Sequence, residues 1–305
     1  MKFSIIIPVY NKASTVEQTI KSVLNQTYTN YELVVVNDGS TDGVEDVLKQ
    51  YINEQVVIVN QSNSGVSCAR NTGIKKSNGE YICFLDADDI WRPNRLETLV
   101  RMIKSYPGEK LFATPVEIIL PNGKRVHTGR FLKENLKDMV LIEDFFDLYL
   151  RYSSIVFNTD TICIHKDVFK KVGLFEPGET IGEDTDMWFR AAAYYPIVFA
   201  KETTAVYNRM ESTATKNDAW TYSWRFAKRN GDILNDSGIS QVKKKHILRV
   251  IDRYHMSCCR RALFEGSRSE AIVFLKSVHC KRNWRYAATL MCFCVPHRLL
   301  KLAIC

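Results

Sequence analysis

Gly79-Glu80-Tyr81-Ile82-Cys83-Phe84-Leu85-Asp86-Ala87-Asp88-Asp89 runs through an unbroken apolar stretch and stops on acids. Such a run predicts a hydrophobic strand over Glu80–Leu85. The acids then fall at the strand's carboxyl end. Two of them one residue apart, Asp86 and Asp88, place several carboxylate oxygens at the sheet edge. Holding Mg2+ or Mn2+ against a diphosphate needs only one or two such groups, with phosphate and water completing the shell.

Outward from this stretch the same pattern repeats. Phe3–Val9 is a near-continuous apolar run, and Ser14 or Thr15 can cap a helix carrying Val16, Ile20, Val23 and Leu24 on one side. Tyr31–Val36 predicts a second strand ending at Asn37-Asp38-Gly39-Ser40, followed by a helix through Val44, Val47, Leu48 and Tyr51. Val56–Val59 predicts a third strand and Val66–Lys76 a helix. Strands alternating with helices imply βαβ units and a mostly parallel α/β sheet. Ligands of such sheets bind beyond the carboxyl ends of the strands, and three ends here are polar: Pro8-Val9-Tyr10-Asn11, Asp38, and Asp86-Ala87-Asp88. Asp and Gly also close turns and cap helices, but turn chemistry does not explain three such ends on one sheet edge.

Past Trp91 the pattern loosens. Pro93 can begin a helix to about Ser105; Phe112–Leu120 and Arg125–Phe131 flank Pro121-Asn122-Gly123 as a hairpin. Met139–Arg151 reads as a helix, Thr161–His165 as a strand, Glu183–Tyr195 as a helix and Ile197–Tyr207 as a last strand.

With 46% hydrophobic and 25% charged residues in a chain of 305, the composition is that of a globular protein and excludes disordered or collagenous classes. Nine cysteines, with no C-x-x-C pair, predict a reducing compartment and argue against a zinc site. Proline interrupts the apolar start of the chain, and no run reaches the roughly 18–20 apolar residues of a spanning helix; a cytoplasmic location is expected. There is neither a Walker loop nor G-x-G-x-x-G, which disfavours a P-loop NTPase or a dehydrogenase. Charge divides the chain: residues 1–216 carry a net −3 and residues 217–305 a net +11. That break sets the expected boundary between a first domain, 1–216, and a helical, basic C-terminal region, 217–305.

Five motifs in order give the chain a resemblance to the inverting family 2 glycosyltransferases of GT-A fold: Ser4-Ile5-Ile6-Ile7-Pro8-Val9-Tyr10-Asn11, Val36-Asn37-Asp38-Gly39-Ser40-Thr41-Asp42, Asn63-Ser64-Gly65-Val66-Ser67-Cys68-Ala69-Arg70-Asn71, Gly79–Asp89, and Gly182-Glu183-Asp184-Thr185-Asp186. The resemblance covers roughly residues 1–215. It implies that 1–216 is the catalytic domain, with about 1–106 binding the nucleotide and about 107–216 the acceptor. It also implies a Rossmann-like mixed sheet flanked by helices, a nucleotide-sugar donor (UDP-linked, with dTDP open), and a divalent metal, Mn2+ or Mg2+. Pro8, Val9 and Tyr10 would run along the base, and Asp38 would accept N3–H of uracil. Arg70 would sit near the base or diphosphate; Asp86 would approach the ribose beside Ala87, and Asp88 would ligate the metal. Asp184 would be the base that deprotonates the acceptor, with Asp186 the alternative, while Glu183 and Trp91 would contact the acceptor. The chain departs from many relatives in having Met210 where a histidine would align, leaving metal binding to Asp88 or phosphate neutralisation to Arg209. It also lacks the Q-x-x-R-W motif of processive synthases, so one sugar per acceptor is expected.

In residues 217–305, Lys243-Lys244-Lys245, Arg260-Arg261 and Lys281-Arg282 lie among aromatic and apolar residues. That mixture suits an anionic membrane surface at the inner face of the cell membrane, or a helical cap with a solvated basic face. Two other function classes remain open: a catalytically silent nucleotide-sugar binder, and a protein acting on membrane or nucleic acid through its tail. No RNA or DNA motif is present, so a nucleic-acid partner is not expected. The expected acceptor is a glycan or lipid-linked glycan.

Overall fold

The computed structural model describes residues 1–128, 137–152, 157–179, 182–208, 231, 233–281 and 284–294. Contacts divide the chain into two compact units, one of Met1–Phe145 with Tyr152–Thr215, the other of Phe146–Arg151 with Lys216–Cys305.

The first unit begins β1 (Phe3–Val9), α1 (Val16–Leu24), β2 (Tyr31–Asp38), α2 (Val44–Lys49), β3 (Val56–Gln61), α3 (Val66–Lys76) and β4 (Tyr81–Phe84). It continues β5 (Ile90–Trp91), α4 (Arg95–Ser105), β6 (Leu111–Ala113), β7 (Val116–Ile119), β8 (Arg125–His127), β9 (Met139–Ile142), α5 (Phe145–Tyr152, of which Phe146–Arg151 belong to the second unit), β10 (Ile162–His165), α6 (Asp167–Val172), α7 (Glu183–Tyr194), β11 (Ile197–Ala200) and β12 (Ala205–Asn208). The large sheet has the order β3-β2-β1-β4-β10-β6-β11-β9 and a smaller one the order β5-β12-β7-β8. Parallel pairing joins β3, β2, β1 and β4, in the register Ile5 to Leu33 and Ile5 to Cys83. The apolar runs are continuous because both faces are covered: Ile5, Ile6 and Ile7 are all fully buried, and each is worth about 2–3 kcal/mol of transfer free energy. Because β2 and β3 extend from one side of β1 while β4 lies on the other, the strand order reverses between β1 and β4, and a crevice opens beyond their carboxyl ends.

Several expectations need correcting here. The stretch 112–120 is not one strand: β6 pairs in the large sheet and β7 in the small one, with Pro115, which lacks an N–H for the ladder, at the change. The stretch 197–207 likewise divides into β11 and β12. Residues 139–142, expected to be helical, form β9, an edge strand antiparallel to β11; the β-branched Val140 and Ile142 suit it. Thr15 does not cap α1 with its hydroxyl, which donates instead to the Ala87 carbonyl at 2.9 Å.

In the second unit, α8 (Gln241–Glu265), α9 (Arg268–Lys276) and α10 (Trp284–Cys294) follow. Ser240 caps α8 by accepting from Lys243 N–H, and Gly266, at φ +92°, ends it. Cys258, Cys259, Ala262, Leu263, Ala271 and Phe274 form its core. Buried Asp252 accepts the backbone N–H groups of His279 and Cys280, at 2.8 and 2.7 Å, fixing the turn after α9. Among the described residues, no helix is long and apolar enough to cross a membrane.

Candidate active site

The crevice between β1 and β4 holds a cavity of about 420 Å³. Of the residues singled out in the sequence, Pro8, Val9, Tyr10, Asp38, Arg70, Asp86, Ala87, Asp88 and Glu183 line it.

Each is placed by local chemistry. Gly39 takes φ +70°, and a Cβ there would lie 2.6 Å from the Asn63 nitrogen; only glycine lets the β2 turn approach the 63–65 loop. Asp38, 3% exposed, then organises that loop. Its Oδ1 accepts from Gln61 Nε2 at 2.7 Å and Ser64 N–H at 2.9 Å, and its Oδ2 from Gly65 N–H at 2.8 Å. Oδ2, with one donor, keeps a lone pair for a ligand N–H.

Arg70, on α3 and 3% exposed, bridges two chain segments. Its Nη2 reaches Asp86 Oδ1 at 2.9 Å and its Nη1 reaches Glu183 Oε1 at 2.6 Å, and it lies over the Phe175 ring. Burial opposes its charge, but Asp86, Glu183 and Asp184 more than compensate and raise its pKa. Burial likewise pushes the Glu183 carboxyl up; Arg70 pulls it back and Asp184 adds to the rise.

The acids after β4 divide by direction. Asp88 faces the cavity and pairs with Lys12 Nζ at 2.6 Å. Asp89 turns inward, is fully buried and accepts Asn208 N–H at 2.8 Å. There it meets Asp160, also fully buried, whose Oδ1 accepts Asp86 N–H at 3.0 Å. Burial first, then repulsion, from Asp160 and Asp86 on Asp89 and from Asp86 on Asp160, pushes both carboxyls well above the usual range. Ligand oxygens of Asp86, Asp89 and Asp160 lie within 4.8 Å of one another. Oxygen-only donors of this kind fit Mg2+ or Mn2+. At the cavity face of the same loop the Lys12 ammonium already stands against Asp88 as a cation, so the residues present suit positive charge.

Three expected site residues are not on the cavity wall. Trp91 is 2% exposed, donates Nε1–H to the Asp160 carbonyl at 2.8 Å and lies under Arg95; it is a core residue and does not reach an acceptor. Asp186 is 1% exposed, pairs with Arg190 Nε at 2.9 Å, one turn along α7, and does not line the cavity. Asp184, half-buried, is held by Thr159 Oγ1 at 3.3 Å and Thr185 N–H at 2.5 Å. It stands next to Glu183 in the first turn of α7, where the helix N-terminus favours negative charge. Arg209 and Met210 lie outside the described residues.

The sequence reading missed Lys12, Tyr207, Asp89 and Asp160. Lys12 was the most accessible of these, since it follows Tyr10-Asn11 in the same β1 turn. Tyr207, on the cavity wall, and Asp160 carry no local signal.

A reversal of strand order, a cavity at it and carboxylates converging there define an open-sheet α/β protein with a ligand site at its topological switch point. The sequence model of Glycosyl transferase family 2 matches residues 4–173, and the chain belongs to that family. An uncharacterized glycosyltransferase of Rickettsia typhi is 32% identical over 217 residues, covering 71% of this chain and 66% of the relative. Glycosyltransferase GlyA of Streptococcus pneumoniae is 38% identical over 110 residues, 35% of this chain and 16% of the relative. The chain thus spans less than two-thirds of the length of these relatives. The crystal structure of S. aureus TarS 1-349 in complex with UDP-GlcNAc superposes with TM-score 0.69 at 20% identity, covering 98% of this chain and 83% of that one. The fold is GT-A, a large central sheet flanked by helices, with C-terminal helices in addition.

Proposed function

We propose that the protein is an inverting, metal-dependent glycosyltransferase that moves one sugar from a UDP-sugar to a glycan or lipid-linked glycan in cell-surface polysaccharide synthesis, with residues 1–216 catalytic. The observation that carries this reading is the convergence of Asp38, Arg70, Asp86 and Asp88 on one cavity at the strand-order reversal. The likeness to TarS, whose complex holds UDP-GlcNAc, supports UDP as the nucleotide.

Pro8 and Tyr10 border the base, and Asp38 Oδ2 accepts its N3–H. Asp86, steadied by Arg70, meets the ribose hydroxyls. Asp88, with Asp86, would hold a divalent cation, Mn2+ or Mg2+, which supplies Lewis-acid neutralisation of the departing diphosphate. Asp184 takes the proton from the acceptor hydroxyl as its oxygen attacks the anomeric carbon and the bond to the diphosphate breaks. Glu183 holds Arg70 and so ties the donor side to the start of α7.

The test is thermal unfolding with UDP, dTDP, GDP and CMP, each with and without Mn2+, on wild type and Asp88→Ala. Metal-dependent stabilisation by UDP, lost in the variant, is the expected result. No response to any nucleotide overturns the reading and favours a silent fold that works through its tail.

The second unit is assigned to an anionic membrane surface, peripheral at the cytoplasmic face. On α10, Ala287, Leu290, Met291 and Cys294 form an exposed apolar stripe, with Leu290 42% and Met291 64% exposed, while Thr289 is buried. Residues 217–305 carry the net +11 that anionic lipid attracts. Co-sedimentation with phosphatidylglycerol vesicles, weakened by Leu290→Glu, is expected; equal recovery with neutral vesicles or none removes the assignment.

A further inference from the structure

The cavity wall carries four acids, Asp38, Asp86, Asp88 and Glu183, against two cations. A nucleoside diphosphate entering it meets mostly negative charge. Arg70 is already committed, one terminal nitrogen to Asp86 and the other to Glu183, and is 3% exposed. Lys12 differs. Its side chain is 20% exposed, and its ammonium holds one partner, Asp88 Oδ2. A lysine head group on a four-carbon stem swings between partners more readily than a guanidinium fork.

The placement of Lys12 is built into the fold. Asn11 sits at φ +52°, a left-handed conformation that asparagine tolerates better than most residues. Asn11 N–H donates to Ser40 Oγ at 3.0 Å, and its Oδ1 accepts Thr41 N–H at 2.8 Å. On either side of Asn11, Tyr10 and Lys12 line the cavity. Four residues on from Asn11, Thr15 Oγ1 donates to the Ala87 carbonyl at 2.9 Å, fastening the start of α1 to the loop that carries Asp88. Lys12 lies between these two fixed points.

Resting on the donor-site reading above, we propose that Lys12 is a diphosphate-binding residue held in reserve by Asp88. Asp88 keeps the ammonium on the cavity wall while no ligand is present. On taking a divalent cation Asp88 gives up Lys12, whose Nζ then donates to the diphosphate oxygens and stays there as their charge grows during transfer. Lys12 therefore acts in opposite directions on two ligands: it assists the nucleotide and competes with the bare cation.

Calorimetric titration of the full chain separates these effects, with Lys12→Met, which keeps the stem, and Lys12→Gln, which keeps a neutral donor. UDP binding in saturating Mn2+ is expected to weaken about tenfold in both. Mn2+ alone is expected to bind both variants more tightly than wild type. Unchanged UDP affinity in folded variants overturns the proposal. So does a parallel loss of UDP and Mn2+ binding, the signature of a purely structural lysine. If wild type takes up Mn2+ but no nucleoside diphosphate, the donor-site reading itself fails and this inference falls with it; wild-type UDP binding with indifferent variants sinks only the inference.

Discussion

The parallel sheet buries acids at both of its ends, with opposite consequences. At the amino end Glu32, 6% exposed, accepts from Ser4 Oγ at 2.6 Å, Asn78 N–H at 2.5 Å, Lys2 Nζ at 2.9 Å and Gly79 N–H at 3.2 Å. Burial alone would raise its pKa, but these donors outweigh it and hold it at about 2. At the carboxyl end Asp86, Asp89 and Asp160 crowd together with too few donors, and burial and repulsion drive the two inner carboxyls up. A carboxylate matched by donors is scaffold. Carboxylates left short of positive charge mark the end of the sheet that waits for a ligand to supply it.

That contrast breaks first, if it is wrong, at Asp88. Asp88→Asn removes the negative charge on the cavity face and is expected to cut the initial transfer rate from a UDP-sugar about a thousandfold, with the thermal midpoint held within a few degrees. A collapse of stability would place Asp88 with the scaffold. At the opposite end Gly79→Ala should behave in reverse. Its Cβ would lie 2.7 Å from the Ser4 nitrogen and 2.8 Å from the Phe3 carbonyl carbon. Backbone cannot yield there, and urea unfolding should show a loss of about 3 kcal/mol, with activity per folded molecule kept.

Glu32→Gln is smaller, a loss of about 2 kcal/mol at neutral pH, because its donors lose a charged acceptor. The sign of its pH dependence follows from the depressed pKa. The carboxylate's contribution is present above the unfolded value of about 4.5 and is lost as pH falls through about 2. The gap between wild type and Glu32→Gln in chemical unfolding should therefore narrow as pH drops below about 4.5; a gap that widens would show that the hydrogen bonds do not favour the ionised form.

How far the sequence carries this comparison depends on how local each choice is. The helix Val16–Leu24 and the strand starting at Phe3 are legible because their apolar spacing is dictated by the faces they bury. Asp38, Asp86 and Asp88 are legible because strand ends are, whereas Arg70, inside a helix, is legible only through the motif Asn63–Asn71. The division of 112–120 and of 197–207 between two sheets is not, since the sheet a strand joins is decided by partners far away in sequence. Trp91 misleads for a related reason: an aromatic residue just past an acidic loop can face either way, and the buried Asp160 carbonyl decides it. Asp186 was readable in principle, for Arg190 follows at i+4, the spacing of a helical ion pair. Asp160 is 74 positions from the Asp86 amide it accepts, and no motif marks it.

The smallest expected effect falls on the residue next to the largest. Asp89 is pushed up strongly enough to stay protonated at neutral pH, and its Oδ1 accepts Asn208 N–H. An asparagine offers the same carbonyl to Asn208 and an N–H in place of the carboxylic O–H toward Asp160, with nearly the same volume. Asp89→Asn should thus change unfolding free energy by less than about 1 kcal/mol, measured by urea denaturation at neutral pH. Asp88→Asn, one position away and equally conservative on paper, abolishes a charge that the cavity uses. If Asp89→Asn instead destabilises by several kcal/mol, the buried carboxyl is ionised and matched by partners after all, and the two ends of the sheet differ less than their geometry indicates.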